Sequence, residues 1–244
     1  AIFTTSYSNS ILRTMKNWLF ALLLFCSLCA ESKHSTTLIL GYVEFPPFTF
    51  TNSSGKPDGF YIKKIEQVLD SKDFRHKAIS LPTKRLIKYL EIGDVDIFVS
   101  INRRQELRDI ALIGQQIVGT ISLNIYSIGN KKLSRLGTLQ NNPIIILRGY
   151  NYGGFIDYIL DQKNRITPFV ANTHESALNM LALKRANYLL AYQKPIDILL
   201  KKTPIEGINS VNLSQLPLYI TVSKQTPQAD ELLNQLETAM LKMK

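Results

Sequence analysis

Three observations predict an α/β protein: short apolar runs recur along the chain, segments with the 3.6-residue period of amphipathic helices separate them, and the composition is globular. Of 244 residues, 45% are hydrophobic and 20% charged, which excludes a disordered, collagen-like or coiled-coil protein. The length suits one large domain or two small ones. No internal repeat is visible.

A segment of different character precedes the first predicted strand. Met15-Lys16 opens the apolar run Trp18–Ala30, which contains Ser27 and gives way to Glu31-Ser32-Lys33-His34. One lysine ahead of a run this short is the pattern of a secretory signal peptide, and its 13 residues fall short of the ~20 a membrane-spanning helix needs. Residues 15–30 are therefore expected to be a cleavable signal, with cleavage near Ala30, Met15 as initiator and 1–14 as an upstream extension. Cys26 and Cys29 both fall within it, so their C-x-x-C spacing is read as incidental. The mature chain then has no cysteine and depends on its core instead of disulfides.

Leu38–Val43 is the first strand, a continuous apolar run of the kind buried on both faces of a sheet. The stretch Glu44–Gly59, rich in Phe, Pro and Gly, follows it and ends in the turn Gly55-Lys56-Pro57-Asp58-Gly59. Gly59–Lys72 is a helix with Phe60, Ile65, Val68 and Leu69 on one face; Thr83–Ile92 is another, capped by Thr83 and burying Leu86, Ile87 and Leu90. Asp96–Ile101 is a strand, and the Arg-rich segment Ile101–Asp109 leaves it. Strands at Ile121–Ile128 and Pro143–Leu147 lead to the loop Arg148–Gly154 and a helix beyond it. His174–Arg185 is a helix and Asn187–Tyr192 and Leu218–Ser223 are strands. In the last helix, Gln228–Met243, Ala229, Leu232, Leu233, Leu236 and Met240 keep the i, i+3, i+4, i+7 spacing of a buried stripe. Such alternation implies parallel sheets covered by helices, whose ligands sit at the carboxyl ends of strands.

Lys and Arg number 29 against 19 Asp and Glu, a net charge of +10. The excess is scattered over pairs such as Lys63-Lys64, Arg103-Arg104 and Lys201-Lys202, with no run of five basic residues, and reads as a solvated surface instead of a nucleic-acid interface. His34, His76 and His174 are far apart and lack Cys or paired carboxylates at ligand spacing, so neither a metal site nor a cofactor is expected. No nucleophile, phosphate-loop or dinucleotide motif is present.

Three strand-to-helix loops remain. In Glu44–Phe50 two prolines stiffen the chain, so that Tyr42, Phe45 or Phe48 can wall a ligand; packing within the loop is the alternative for any one ring. Ser100-Ile101-Asn102-Arg103-Arg104-Gln105-Glu106-Leu107-Arg108 places at a strand end three guanidinium groups able to pair a carboxylate bidentately. Arg108 is preferred and Arg103 second, with at least one arginine solvated or paired with Glu106 or Asp109. The third loop is Arg148-Gly149-Tyr150-Asn151-Tyr152-Gly153-Gly154. Glu44, the one carboxylate placed at a cleft loop, is either a hydrogen-bond partner for ligand or arginine, or an acid/base.

Leu38–Phe50 with Gly55–Leu69, Leu90-Glu91-Ile92-Gly93-Asp94-Val95-Asp96, the segment ending at Arg108, and Leu181–Asn187 with the closing strand and helix stand in a familiar order and spacing. Over nearly the whole mature chain they resemble the extracellular solute-binding proteins of bacterial polar amino-acid uptake, family 3. The resemblance implies a two-lobed type II periplasmic-binding-protein fold with mixed sheets and two hinge crossings, near Leu123–Tyr126 and Ala191–Lys194. Lobe one is then 36–124 plus 194–244, and lobe two 125–193. It further implies a periplasmic, monomeric, non-catalytic protein that captures a small polar or anionic solute for an ABC-transporter permease or a sensor, without nucleic acid.

On this resemblance Arg108 clamps the ligand's α-carboxylate, and Tyr42, Glu44, Phe45, Ser100, Asn102 and Arg103 complete lobe one's side of the cleft. Gln105 stands where the family has a small hydroxyl residue, and Arg103 where it has a small one. Tyr192 and Asn187 replace aspartates, so the negative half of the amino-acid grip is missing unless Glu44 supplies it. Arg148, Tyr150 and Tyr152 line the second lobe, implying an aromatic or carboxylate-bearing ligand. The alternatives are a dehydratase-type enzyme on the same scaffold with Glu44 as acid/base, and an orphan sensor module.

Overall fold

A computed structural model describes residues 37–101, 105–129 and 136–243. The expected signal segment, with Cys26 and Cys29, lies outside the described residues, as do Asn102 and Arg103.

In chain order the first half comprises β1 (Leu38–Tyr42), β2 (Phe50–Thr51), β3 (Pro57–Asp58), α1 (Phe60–Asp70), β4 (His76–Ser80), α2 (Thr83–Ile92), β5 (Ile97–Ile101), α3 (Gln105–Arg108) and β6 (Ala111–Ile128). The second half comprises β7 (Pro143–Leu147), α4 (Phe155–Leu160), β8 (Thr167–Ala171), α5 (His174–Ala182), β9 (Tyr188–Tyr192), α6 (Gln193–Lys202), β10 (Ile208–Ser223) and α7 (Ala229–Lys242). Eight strands form one curled sheet in the order β4-β1-β5-β10-β6-β9-β7-β8. Pairing is parallel within β4-β1-β5 and within β9-β7-β8, as continuous apolar runs predict, and antiparallel where β10 and β6 join the two triplets.

Local sequence fixes each helix against this sheet. In α1, Ile62, Ile65, Val68 and Leu69 are buried. Phe60, expected on that face, is 55% exposed. Two residues at 100° each separate it from Ile62, which puts it on the opposite side of the helix; the Lys194 Nζ stands 5.7 Å from its ring centre. The helix begins at Gly59, whose φ of +119° suits glycine alone, and an added Cβ would fall 2.3 Å from the Phe48 carbonyl oxygen. Gly59→Ala is therefore expected to cost at least the ~1–3 kcal/mol of a strained backbone, read as a lowered urea midpoint. A midpoint within error of wild type would show that this turn tolerates a side chain. Thr83 is the first residue of α2, with Pro82 at the cap position, so the expected Thr83 cap does not form. In α5 a reciprocal capping box forms instead, between Thr173 and Ser176.

β6 and β10 are far longer than the apolar runs Ile121–Ile128 and Leu218–Ser223. Their added residues mix apolar positions such as Leu112, Val118, Val211 and Leu213 with the exposed polar Gln115, Thr120, Asn209 and Asn212, an interrupted pattern that a search for continuous apolar runs passes over. The two strands pair from Ile208↔Ile128 to Ser223↔Ala111, with register shifts near Asn212 and Leu218.

The first expected crossing, Leu123–Tyr126, lies within β6 where it begins to pair with β9. The second is displaced from Ala191–Lys194. Helix α6 follows β9 directly, and Ile196 is buried in a cluster with Tyr126, Ile145, Leu147 and Leu181, against which Leu199, Ile205 and Ile208 also pack. Residues 194–208 therefore belong with β7, β8 and β9. The chain returns along β10, which leaves the lower end of β6 and reaches β5 at Leu218–Val222.

Candidate functional site

The loop after β1 is pinned by its own backbone. The Phe45 amide donates to the Thr49 carbonyl at 2.7 Å, the Phe48 and Thr49 amides donate to the Phe45 carbonyl, and the Thr49 hydroxyl donates to the Val43 carbonyl at 2.7 Å. Phe48, buried, stacks on Tyr61 of α1 with ring centres 5.5 Å apart and planes 9° from parallel. Phe45 reaches across to the other triplet of strands, meeting Tyr150 edge-on at 5.6 Å and Tyr192 at 5.0 Å. Tyr150 leaves β7 and Tyr192 ends β9, so all three rings stand beyond carboxyl ends of strands.

Beside these rings lies a cavity of about 450 Å³, within the range of small-molecule sites. Tyr42, Glu44, Phe45, Tyr61, Ser100 and Glu106 line it from one triplet; Tyr150, Asn151, Asp157 and Tyr192 line it from the other. Of the residues expected at the site, the structure thus assembles Tyr42, Glu44, Phe45, Ser100, Tyr150 and Tyr192. The Ser100 hydroxyl also lies 2.7 Å from that of Thr221.

Tyr152 is fully buried behind the wall: its hydroxyl accepts from the Leu147 amide at 2.6 Å, and its ring lies 5.8 Å from Tyr150 and 5.7 Å from Tyr192. It supports lining rings and does not line the cavity itself. Arg148 is exposed, its Nε donating to the Asn172 Oδ1 at 2.9 Å, and stands outside the lining.

Arg108 is likewise exposed and outside the lining, which corrects the expectation of a guanidinium facing the cleft. The cause is the single turn α3. Glu106 lines the cavity, Leu107 is wholly buried among Leu86, Leu90, Val95 and Phe98, and the next 100° step carries Arg108 to solvent. The Lys224 Nζ holds the end of that turn through the carbonyls of Arg108 and Asp109, at 2.9 and 3.0 Å.

Tyr61, Glu106, Asn151 and Asp157 are lining residues that sequence reasoning missed. Glu106 was legible only as a partner for arginine, since its direction depends on Leu107 taking the core. Asp157 sits in the first turn of α4, beyond Gly153-Gly154.

Glu44 accepts from the Thr51 amide at 3.0 Å, the Thr51 hydroxyl at 2.6 Å and the Ser80 hydroxyl at 2.6 Å. Partial burial raises its carboxyl pKa, but the Ser80 and Thr51 bonds prevail and hold it below the ordinary 4.5. A folded-state pKa below the unfolded one makes Glu44 stabilising above 4.5, and the contribution is lost as pH falls through the lowered value. Ser80→Ala is expected to move the Glu44 midpoint upward in a carboxyl-detected NMR titration; an unmoved midpoint would rule out Ser80 as a cause. Burial pushes the Tyr150 hydroxyl up to about 12 and His174, packed 5.6 Å from the Tyr150 ring, down to about 4, so both are neutral near pH 7. Among the described residues no cluster of His, Cys, Asp and Glu could hold a metal ion, and no helix is long and apolar enough to cross a membrane.

No protein-family model and no curated protein sequence matches the chain. Solved structures do. The ligand-binding core of GluR0 in complex with L-glutamate superposes with a TM-score of 0.68 at 15% identity, over 85% of this chain and 92% of that one. A histidine kinase sensor domain with similarity to periplasmic binding proteins gives 0.67 at 14%, over 85% and 90%. An ancestral arginine-binding protein bound to arginine gives 0.65 at 19%, over 85% and 92%. With the mixed curled sheet and its two crossings, this likeness defines the class: the chain has the two-lobed, periplasmic-binding-protein-like α/β fold.

Proposed function

We propose that this protein is a non-catalytic receptor for a small molecule, acting as an exported monomer that presents its ligand to a membrane permease or sensor. The observation that carries the reading is the cavity between β1, β5 and α3 on one side and the β7 and β9 ends on the other, walled by rings from both. A site shared between two lobes couples occupancy to their relative position, as binding of this kind requires. Solved proteins of the same fold that hold arginine or glutamate support it.

The enzyme reading asks Glu44 to exchange protons. Its carboxyl instead already accepts three hydrogen bonds, from the Thr51 amide and the Thr51 and Ser80 hydroxyls, the arrangement of a fixed acceptor. A thermal-shift screen of amino acids, amines and carboxylic acids tests the proposal: a ligand at a hundred times its Kd adds about 2.7 kcal/mol of stability and a clear rise in Tm. Product formation from any of these compounds, abolished by Glu44→Gln, would replace it with the enzyme reading.

A further inference from the structure

We propose that the wall built from β1, its following loop and α1 reads hydrogen-bond donors, so that the ligand turns an NH2 head, of the carboxamide or amine kind, toward Tyr42 and Glu44. The proposal rests on the receptor reading above and names the group by which that site takes hold of its ligand. It follows from where the wall's own hydrogens go. Tyr42, Glu44, Thr49 and Tyr61 all line the cavity. The Thr49 hydroxyl donates to the Val43 carbonyl at 2.7 Å, and the Tyr61 hydroxyl to the Thr120 carbonyl at 3.1 Å. A hydroxyl has one hydrogen to give, so these two oxygens have only lone pairs to offer a ligand. The backbone is committed in the same way. Across residues 45–49 the Phe45, Phe48 and Thr49 amides donate within the loop, and Pro46 and Pro47 have no N–H.

A relay fixes Tyr42 and Glu44. Glu44, with its pKa below the ordinary 4.5, is a carboxylate near pH 7 and can only accept, so the Thr51 hydroxyl donates to its Oε1 at 2.6 Å. With that hydrogen committed, the Thr51 oxygen accepts from the Tyr42 hydroxyl, 2.8 Å away. The Tyr42 hydrogen thus points to Thr51, and its oxygen joins the acceptors. The Ser80 hydroxyl takes the other lone pair of Glu44 Oε1 at 2.6 Å, while Oε2 accepts the Thr51 amide at 3.0 Å and has a second lone pair to offer. Two acceptors therefore stand side by side, both bonded to one hydroxyl. An NH2 group, whose two hydrogens diverge from one nitrogen, matches such a pair. A methyl group or a carboxylate oxygen in its place meets neither. The selection is one of hydrogen-bond direction at this wall, and it leaves the remainder of the ligand to the other walls.

The test is calorimetric titration of the purified chain with benzamide, acetophenone and benzoate, which share a ring and a carbonyl and differ in bearing on it an NH2, a methyl or a charged oxygen. Benzamide is expected to bind about tenfold or more tightly than either, the worth of a donor matched to a charged acceptor. Glu44→Gln sets an amide donor against Thr51 and Ser80 and lets the relay reverse, so it is expected to erase most of that preference. Tyr42→Phe, which removes one acceptor and keeps the ring, is expected to erase part of it. Unfolding midpoints establish which variants are folded. Acetophenone binding as tightly as benzamide, benzoate binding more tightly than both, or a benzamide preference that survives intact in the folded variants would each overturn the donor assignment and leave the receptor reading standing. If none of the three binds, the wider thermal-shift screen decides. A hit with an NH2 or ammonium group whose shift shrinks in a folded variant supports the assignment, any other hit overturns it, and a screen without hits ends the receptor reading itself.

Discussion

Tyr152→Ala is expected to lower the unfolding free energy by about 3–5 kcal/mol, the range for emptying a buried aromatic site. Tyr152 has no exposed surface, packs against Tyr150 and Tyr192, and satisfies the Leu147 amide through its hydroxyl. Truncation leaves both a void and an unpaired donor. Tyr152→Phe separates the two: the ring stays, the amide loses its acceptor, and about 1–3 kcal/mol is expected. Urea unfolding of both variants measures the difference. If Tyr152→Phe proved as damaging as Tyr152→Ala, the hydrogen bond would dominate; if both were near wild type, the ring cluster would have no structural role. Binding should survive Tyr152→Phe, since the hydroxyl faces the backbone and not the cavity.

Phe45→Ala is expected to cost about 2 kcal/mol or more of ligand affinity, the level of an interface hot spot, or about thirtyfold in Kd. Phe45 lines the cavity and is the ring that touches both Tyr150 and Tyr192 across it, yet it is only half-buried, so its loss should spare stability far more than affinity. Arg108→Ala serves as its counterpart, with an affinity change inside ±0.5 kcal/mol expected of an exposed surface side chain. Calorimetry with whichever compound binds gives both values. The reverse pattern, Arg108→Ala abolishing binding and Phe45→Ala sparing it, would restore the guanidinium as anchor.

The parts legible in sequence are those whose burial is continuous. β1 and β7 are apolar at nearly every position, and the stripes of α2 and α7 keep one face throughout, so their places follow from pattern alone. β4 and β8 escape because they lie at the sheet edges: His76-Lys77-Ala78-Ile79-Ser80 is half-exposed, and only Ala171 of Thr167–Ala171 is buried. α6 opens with Gln193-Lys194-Pro195 and reads as loop until the cluster around Ile196 is known. In the site, Phe45 and Tyr150 were legible as rings in loops at strand ends, whereas Tyr192, the last residue of β9, was marked only by the resemblance, where it stands in place of an aspartate. The direction of Arg108 was not, because it is decided by Leu107, whose place in the core turns the next residue to solvent.

The β6–β10 pairing determines how the two triplets of strands are joined. Because the two strands stay bonded to each other along almost their full length, the connection between the halves is a ribbon, not a pair of independent strings. Sliding one strand along the other would break interstrand hydrogen bonds, so the register fixes their relative position along the seam. The register shifts near Asn212 and Leu218 are where the pairing locally departs from a regular ladder. The two triplets are thereby stitched along one backbone seam, so that Phe45 and the two tyrosines it meets are joined through main chain as well as through their rings.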